Sequence, residues 1–179
     1  MKKYLSLAGK YQKVFSLLVL MAFSCDGDDK NKLLEILGVE KHDQLMKLSL
    51  DEFDQSPFGF RKYAGDYDLV QLLIPEYIRT NQLSEQKSRN LHWHLGQIHA
   101  FNENYQKAIR QMEQSYAGGS DTWKCYVDGS IAFLKEDKGA LMDAVGALSQ
   151  QDNQMNLEFL EKFVKYFDLT YTEAYNADL

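Results

Sequence analysis

Three of the four histidines fall within eight residues, His92-Trp93-His94-Leu95-Gly96-Gln97-Ile98-His99. Imidazoles gathered in one place could hold a transition metal or relay protons. Their spacing argues against a metal. A chelating pair on a helix needs the i, i+4 relation, so that both rings reach one ion. His92 and His99 would share a face but stand about 10.5 Å apart along the axis at the α-helical rise, and His94 points elsewhere. Asp26-Gly27-Asp28-Asp29 is not a calcium loop, because Leu37 stands where the closing glutamate should be. The chain has no glycine-rich phosphate loop, no G-x-S-x-G elbow and no HExxH. Asp and Glu are plentiful, as on any solvated helical surface. No catalytic residue, metal ligand or cofactor is assigned. Cys125, beside Tyr126 and Val127, reads as a small buried hydrophobe.

The other cysteine has a different setting. Lys2, Lys3, Lys10 and Lys13 precede an apolar run from Val14 to Phe23, and Ala22-Phe23-Ser24 places small residues one and three positions before Cys25. Positive, then apolar, then small is the order of a bacterial export signal over residues 1–24. The run is far shorter than the roughly 20 residues that span a bilayer as a helix. Ala22-Phe23-Ser24-Cys25 resembles a lipoprotein box, although Ala22 stands where leucine is usual and Phe23 where a small residue is usual. The resemblance implies diacylation of the Cys25 thiol and lipid anchoring to an envelope membrane, since two chains hold where one is marginal. Ordinary signal-peptidase cleavage, giving a secreted or periplasmic soluble protein, and an uncleaved anchor remain alternatives. If Cys25 is not acylated, it could pair with Cys125 in an oxidising compartment. Residues 25–31 read as a short flexible polar tether.

The export signal holds four of the 20 basic residues and none of the 26 acidic ones, leaving a net charge of −10 on the rest. That balance disfavours nucleic acid and anionic lipid headgroups as partners. Residues 32–179 are enough for one domain with a core of its own.

Four segments along the chain repeat one pattern of helix end, polar turn and new helix. They are centred on Tyr67, Tyr105, Gly139 and Tyr171, at intervals of 38, 34 and 32 residues. Asp or Asn ahead of the second helix suits an N-cap. Apolar stripes at helical spacing, such as Leu91, Leu95 and Ile98, or Leu157, Leu160, Val164 and Phe167, run through the chain, and no stretch alternates long enough for a strand. The expected fold is all-α: short helices over 32–56, with a capping box at Ser49-Leu50-Asp51-Glu52, then hairpins at about 57–81, 89–117, 123–150 and 155–177. Pro75 is expected to kink the helix from Tyr67 to Arg79.

The segment from His92 to Met112 resembles the tetratricopeptide repeat, with Leu95-Gly96 and Ala108 at that family's spacing. Gly96 and Ala108 would let the two helices of a hairpin cross closely. His92 and His99 stand where the family has Trp and Tyr, and in the following repeat Ser130 stands for the glycine and Met142 for the alanine. The resemblance implies a solenoid of stacked antiparallel hairpins whose first helices line a concave groove, with Asn90, Trp93, Gln97, Lys124 and Val127 facing it. Trp93 could equally be a core residue. The function expected is non-catalytic binding of a protein or peptide of unknown identity. A small-molecule-binding or catalytic helical protein, with a pocket near His92, His99 and Tyr126, and a self-associating structural envelope component are the alternatives.

Overall fold

A computed structural model of the chain describes residues 27–151 and 153–178. All regular structure among them is helical. The chain divides into two compact units, one ending at Lys47 and the other beginning at Leu48.

In the first unit, α1 occupies residues 27–37 and α2 runs Val39–Met46. The expected tether over 25–31 is therefore corrected: 27–31 belong to a helix, and Cys25 lies outside the described residues. Two features account for it. Asp28 and Asp29 sit in the first turn, where they complement the helix dipole, and Leu33 is fully buried one turn later. Gly38, at φ 76° and ψ 153°, separates α1 from α2 in a backbone conformation that glycine adopts without a Cβ clash.

The second unit begins with α3, Leu50–Gln55, started by Ser49 and Glu52, which satisfy one another's free donors in a capping box. A 3₁₀ turn follows at Phe60–Tyr63, then α4, Tyr67–Thr80. The expected hairpin over 57–81 is thus one turn and one helix, because Pro57 and Gly59 keep the first half out of α-helical form. The helix α4 continues through Pro75. Six more helices follow: α5 (Glu85–Phe101), α6 (Tyr105–Gln114), α7 (Asp121–Leu134), α8 (Lys138–Leu148), α9 (Gln154–Lys165) and α10 (Tyr171–Asn176). The chief packings are α5 on α6 and α7 on α8, with α9 against both α7 and α8.

The two central hairpins share one turn. Glu103 and Glu136 adopt φ 56° and 57°. Asn104 N–H donates to His99 O (2.8 Å) and Glu103 N–H to Ala100 O (3.0 Å); Asp137 N–H donates to Ala132 O (2.9 Å) and Glu136 N–H to Phe133 O (3.0 Å). Both are Schellman motifs, and they are 33 residues apart. The helices after the turns begin at Tyr105, Lys138 and Tyr171, again at intervals of 33. Asp66 and Asp137 cap with their side chains, and Thr170 forms a capping box with Glu173; Asn104 holds the cap position without a side-chain bond.

Close crossings occur where glycine permits them. A Cβ on Gly96 would lie 2.7 Å from Met112 Cγ and 3.2 Å from Ala108 O, so α5 touches α6 there. In the next hairpin the corresponding residue is Gly129, not Ser130: its Cβ would meet Leu160 Cδ1 at 2.6 Å and Ala144 Cβ at 3.1 Å. At 33 residues the partner of Ala108 is the fully buried Leu141, while Met142 is exposed. The core runs from Trp93 through Tyr126, Phe133 and Phe163 to Tyr171. Each large apolar side chain so buried contributes about 1.5–3 kcal/mol.

Candidate functional site

The five expected groove residues do not form a groove. Val127 is fully buried and Trp93 is 6 % exposed, its ring 4.9 Å from Tyr126 and 5.1 Å from Trp123. Both are core residues, because α5 and α7 carry neighbours on more than one side and bury positions off their main apolar stripe. Asn90 is exposed and lines a small cleft with Asp51, Gln55 and Lys87. Gln97 is half-buried beside His94, its Oε1 3.3 Å from the ring Nδ1, and Lys124 is an exposed partner of Asp121 at 3.5 Å. Leu95, Gly96 and Ala108 are buried, and Gly96 meets Ala108 at the α5–α6 crossing.

The histidines also disperse. His92 Nδ1 lies 2.8 Å from Gln111 Oε1 and borders an open cleft of about 690 Å³ with Arg110 and Tyr116. His99 is buried with Nδ1 unpartnered; burial, then Lys107 and Arg110, hold its imidazole below the ordinary range. Tyr126 is buried in the aromatic core, which pushes its hydroxyl pKa up. Neither His99 nor Tyr126 lines the cleft beside His92. Among the described residues, no three His, Cys, Asp or Glu side chains converge as metal ligands. Cys125 is half-buried, 3.6 Å from Gln151 Nε2.

A different place is assembled by the repeat itself. The turns α5–α6, α7–α8 and α9–α10 border one cleft of about 470 Å³ and bring to it Glu103, Glu136 and Asp168. Apolar rings face it from Tyr105, Phe133 and Phe167. Glu103 and Glu136 are exposed at their left-handed positions. Phe167 already accepts one cation on its face, Lys138 Nζ, 5.4 Å from the ring centroid. A concavity combining carboxylates with aromatic faces suits an ammonium or guanidinium head: the charges attract it, and the rings take its aliphatic stem. Sequence reading found these turns but not their common cleft. The clue was there in the acidic residue that each carries at nearly the same place, Glu103, Glu136 and Asp168.

A second cluster is buried. Asp54, on α3, is 4 % exposed; its Oδ1 lies 3.3 Å from His94 Nε2 and 3.7 Å from Arg61 Nη2, and its Oδ2 accepts from Gln55 Nε2 at 2.7 Å. Burial pushes the Asp54 carboxyl up, but His94, Gln55 and Arg61 beside it outweigh that and hold it below the usual range.

The fold and these sites define an all-helical protein of packed hairpins. Compared with known proteins, it matches no family model, no curated protein and no solved structure.

Proposed function

We propose that this chain is an exported, lipid-anchored, non-catalytic binding module of tetratricopeptide-like hairpins, and that it takes a basic protein segment at the cleft between its turns. One observation carries the reading: successive turns at a 33-residue register deliver Glu103, Glu136 and Asp168 to a single aromatic-floored concavity. The net charge of −10 beyond the export signal favours a cationic partner, which it would steer over long range at low salt. Turn-end recognition differs from the groove that the family resemblance implies. It fits a stack whose groove positions Trp93 and Val127 are occupied by core packing. Export and anchoring rest on the residues around Cys25.

The test is a calorimetric titration of the protein with a lysine-rich decapeptide and with its glutamate-rich counterpart. Binding of the basic peptide alone is expected, weakening as salt is raised. Combined Glu103→Gln, Glu136→Gln and Asp168→Asn should reduce affinity at least about tenfold without lowering the melting temperature. Equal affinity in that variant, or equal binding of the acidic peptide, would overturn the assignment. Anchoring is checked separately: wild type should fractionate with membranes and incorporate labelled palmitate, and Cys25→Ser should do neither.

A further inference from the structure

The buried cluster at Asp54 contains a competition that no single protonation state satisfies. His94 Nε2 lies 3.2 Å from Arg61 Nη2 and 3.3 Å from Asp54 Oδ1. Its other nitrogen, Nδ1, lies 3.3 Å from Gln97 Oε1. With a proton on Nδ1 alone, Nδ1 donates to Gln97, Nε2 accepts from Arg61, and the Nε2 lone pair faces a carboxylate oxygen. With a proton on Nε2, in the neutral tautomer or the cation, Nε2–H donates to Asp54 and no longer accepts from Arg61; in the cation Arg61 also faces a second positive charge. Consistent with this, Asp54 Oδ1 is buried within ion-pair distance of both groups yet has no well-directed hydrogen bond.

We propose that His94 is a proton-operated latch: on gaining a proton it takes Asp54 Oδ1 for itself and expels Arg61, loosening the 3₁₀ turn Phe60–Tyr63 and the loop that carries Phe58. Arg61 is the part able to move, since its side chain is 40 % exposed while that of Asp54 is 6 % exposed. Arg61 is also what ties the turn down. Its Nε donates to the Asp54 carbonyl, and its guanidinium sits 5.4 Å from the centroid of the Phe60 ring. The Phe60 ring in turn packs on His94, with centroids 5.5 Å apart. Losing Arg61 therefore undoes the contacts that hold the start of the turn. The loop presents Phe58, 74 % exposed, so its mobility would alter an apolar element already at the surface.

The groups that face His94 are Asp54 from α3, Arg61 and Phe60 from the turn, and Gln97 from its own helix; Asp51 and Lys87 border the cleft beside Asp54. Asp54 stays ionised across the relevant window. Its folded-state pKa is depressed, so its stabilisation is present above the ordinary carboxylate range and is lost only as pH falls through the lowered value. Of the side-chain types in the cluster, only an imidazole ordinarily exchanges a proton near neutral pH.

The measurement is amide hydrogen exchange of the full protein at pH 8 and pH 5, corrected for the intrinsic pH dependence of exchange. Residues 57–66 are expected to exchange about tenfold faster at pH 5, while α7 and α8 are unchanged. His94→Gln should remove the difference. Unchanged protection of 57–66 in the wild type, or a difference that survives in His94→Gln, would overturn the latch. Because that variant could fail to fold, the wild type supplies a second readout. The His94 ring ¹⁵N shifts should report protonation of both nitrogens over the same pH range in which the Arg61 Nε–H signal moves. An Arg61 signal indifferent to His94 would equally refute it.

Discussion

Glutamate is a poor residue for the left-handed position that ends a helix, where glycine or asparagine avoids the Cβ clash. Yet Glu103 and Glu136 both occupy it, at φ 56° and 57°. The strain of a non-glycine residue there is about 1 kcal/mol. Gln82 takes the same position at the end of α4, so the conformation alone assigns no role; what sets Glu103 and Glu136 apart is that they border one cleft with Asp168, where a binding role would use their carboxylates. Glu136→Gly should therefore stabilise the fold by about 0.5–1 kcal/mol in denaturant unfolding, while weakening capture of a lysine-rich peptide. Glu136→Gln should weaken capture with no gain in stability. Were Glu136→Gly destabilising, the residue would be serving the turn and not a ligand. The Asp54 cluster is the converse case: its carboxylate is buried and braced by Arg61 and His94, so its chemistry is directed inward.

At the scale of helices, what the sequence made legible was whatever depends on neighbours in the chain. The capping box at Ser49 and Glu52, the cap at Asp137 and the stripe Leu91, Leu95 and Ile98 are local, and the structure contains them. The all-helical fold follows from such stripes. Register was harder. Matching Tyr105 to Gly139 gives an interval of 34 and puts Ser130 opposite Gly96, whereas the turns repeat at 33 and Gly129 makes the close approach to Leu160 and Ala144. A shift of one residue turns a helix by about 100°, enough to exchange the buried Leu141 for the exposed Met142. Trp93 and Val127 failed as groove residues for a related reason. A periodic stripe reports one buried face, but α5 and α7 have neighbours on more than one side. How many faces a helix buries depends on partners distant in sequence. The cleft was only half legible on the same ground: each turn shows its acidic residue, but Glu103, Glu136 and Asp168 are brought together only when the turns are aligned in space. The polar residues 27–31 misled because their helix depends on Leu33 and the apolar residues after it.

On the scale of the whole second unit, the last helix decides how the stack behaves. In a linear array each hairpin touches only its neighbours, so a terminal hairpin can unfold alone. Here α10 returns to the middle of the chain. Tyr171 N–H donates to Tyr105 Oη at 3.3 Å, Thr172 Oγ1 donates to Phe101 O at 3.3 Å, and the rings of Phe101 and Tyr171 meet at 5.3 Å. Tyr171 is 1 % exposed and also lies against Phe163, at 5.3 Å, and Phe133, at 6.3 Å. One side chain thus joins α5, α7 and α9, and the helices from α5 to α10 should melt together. Far-UV circular dichroism, which reports every helix, and tryptophan fluorescence, which reports Trp93 and Trp123, should give coincident denaturant transitions. Tyr171→Ala should lower stability by about 3–5 kcal/mol and move both curves equally, although neither tryptophan is among the ring partners of Tyr171. If helical signal were lost first, with the fluorescence midpoint unchanged, α9 and α10 would be a separable end of the stack. The turn cleft would then form and dissolve with Asp168, independently of Glu103 and Glu136.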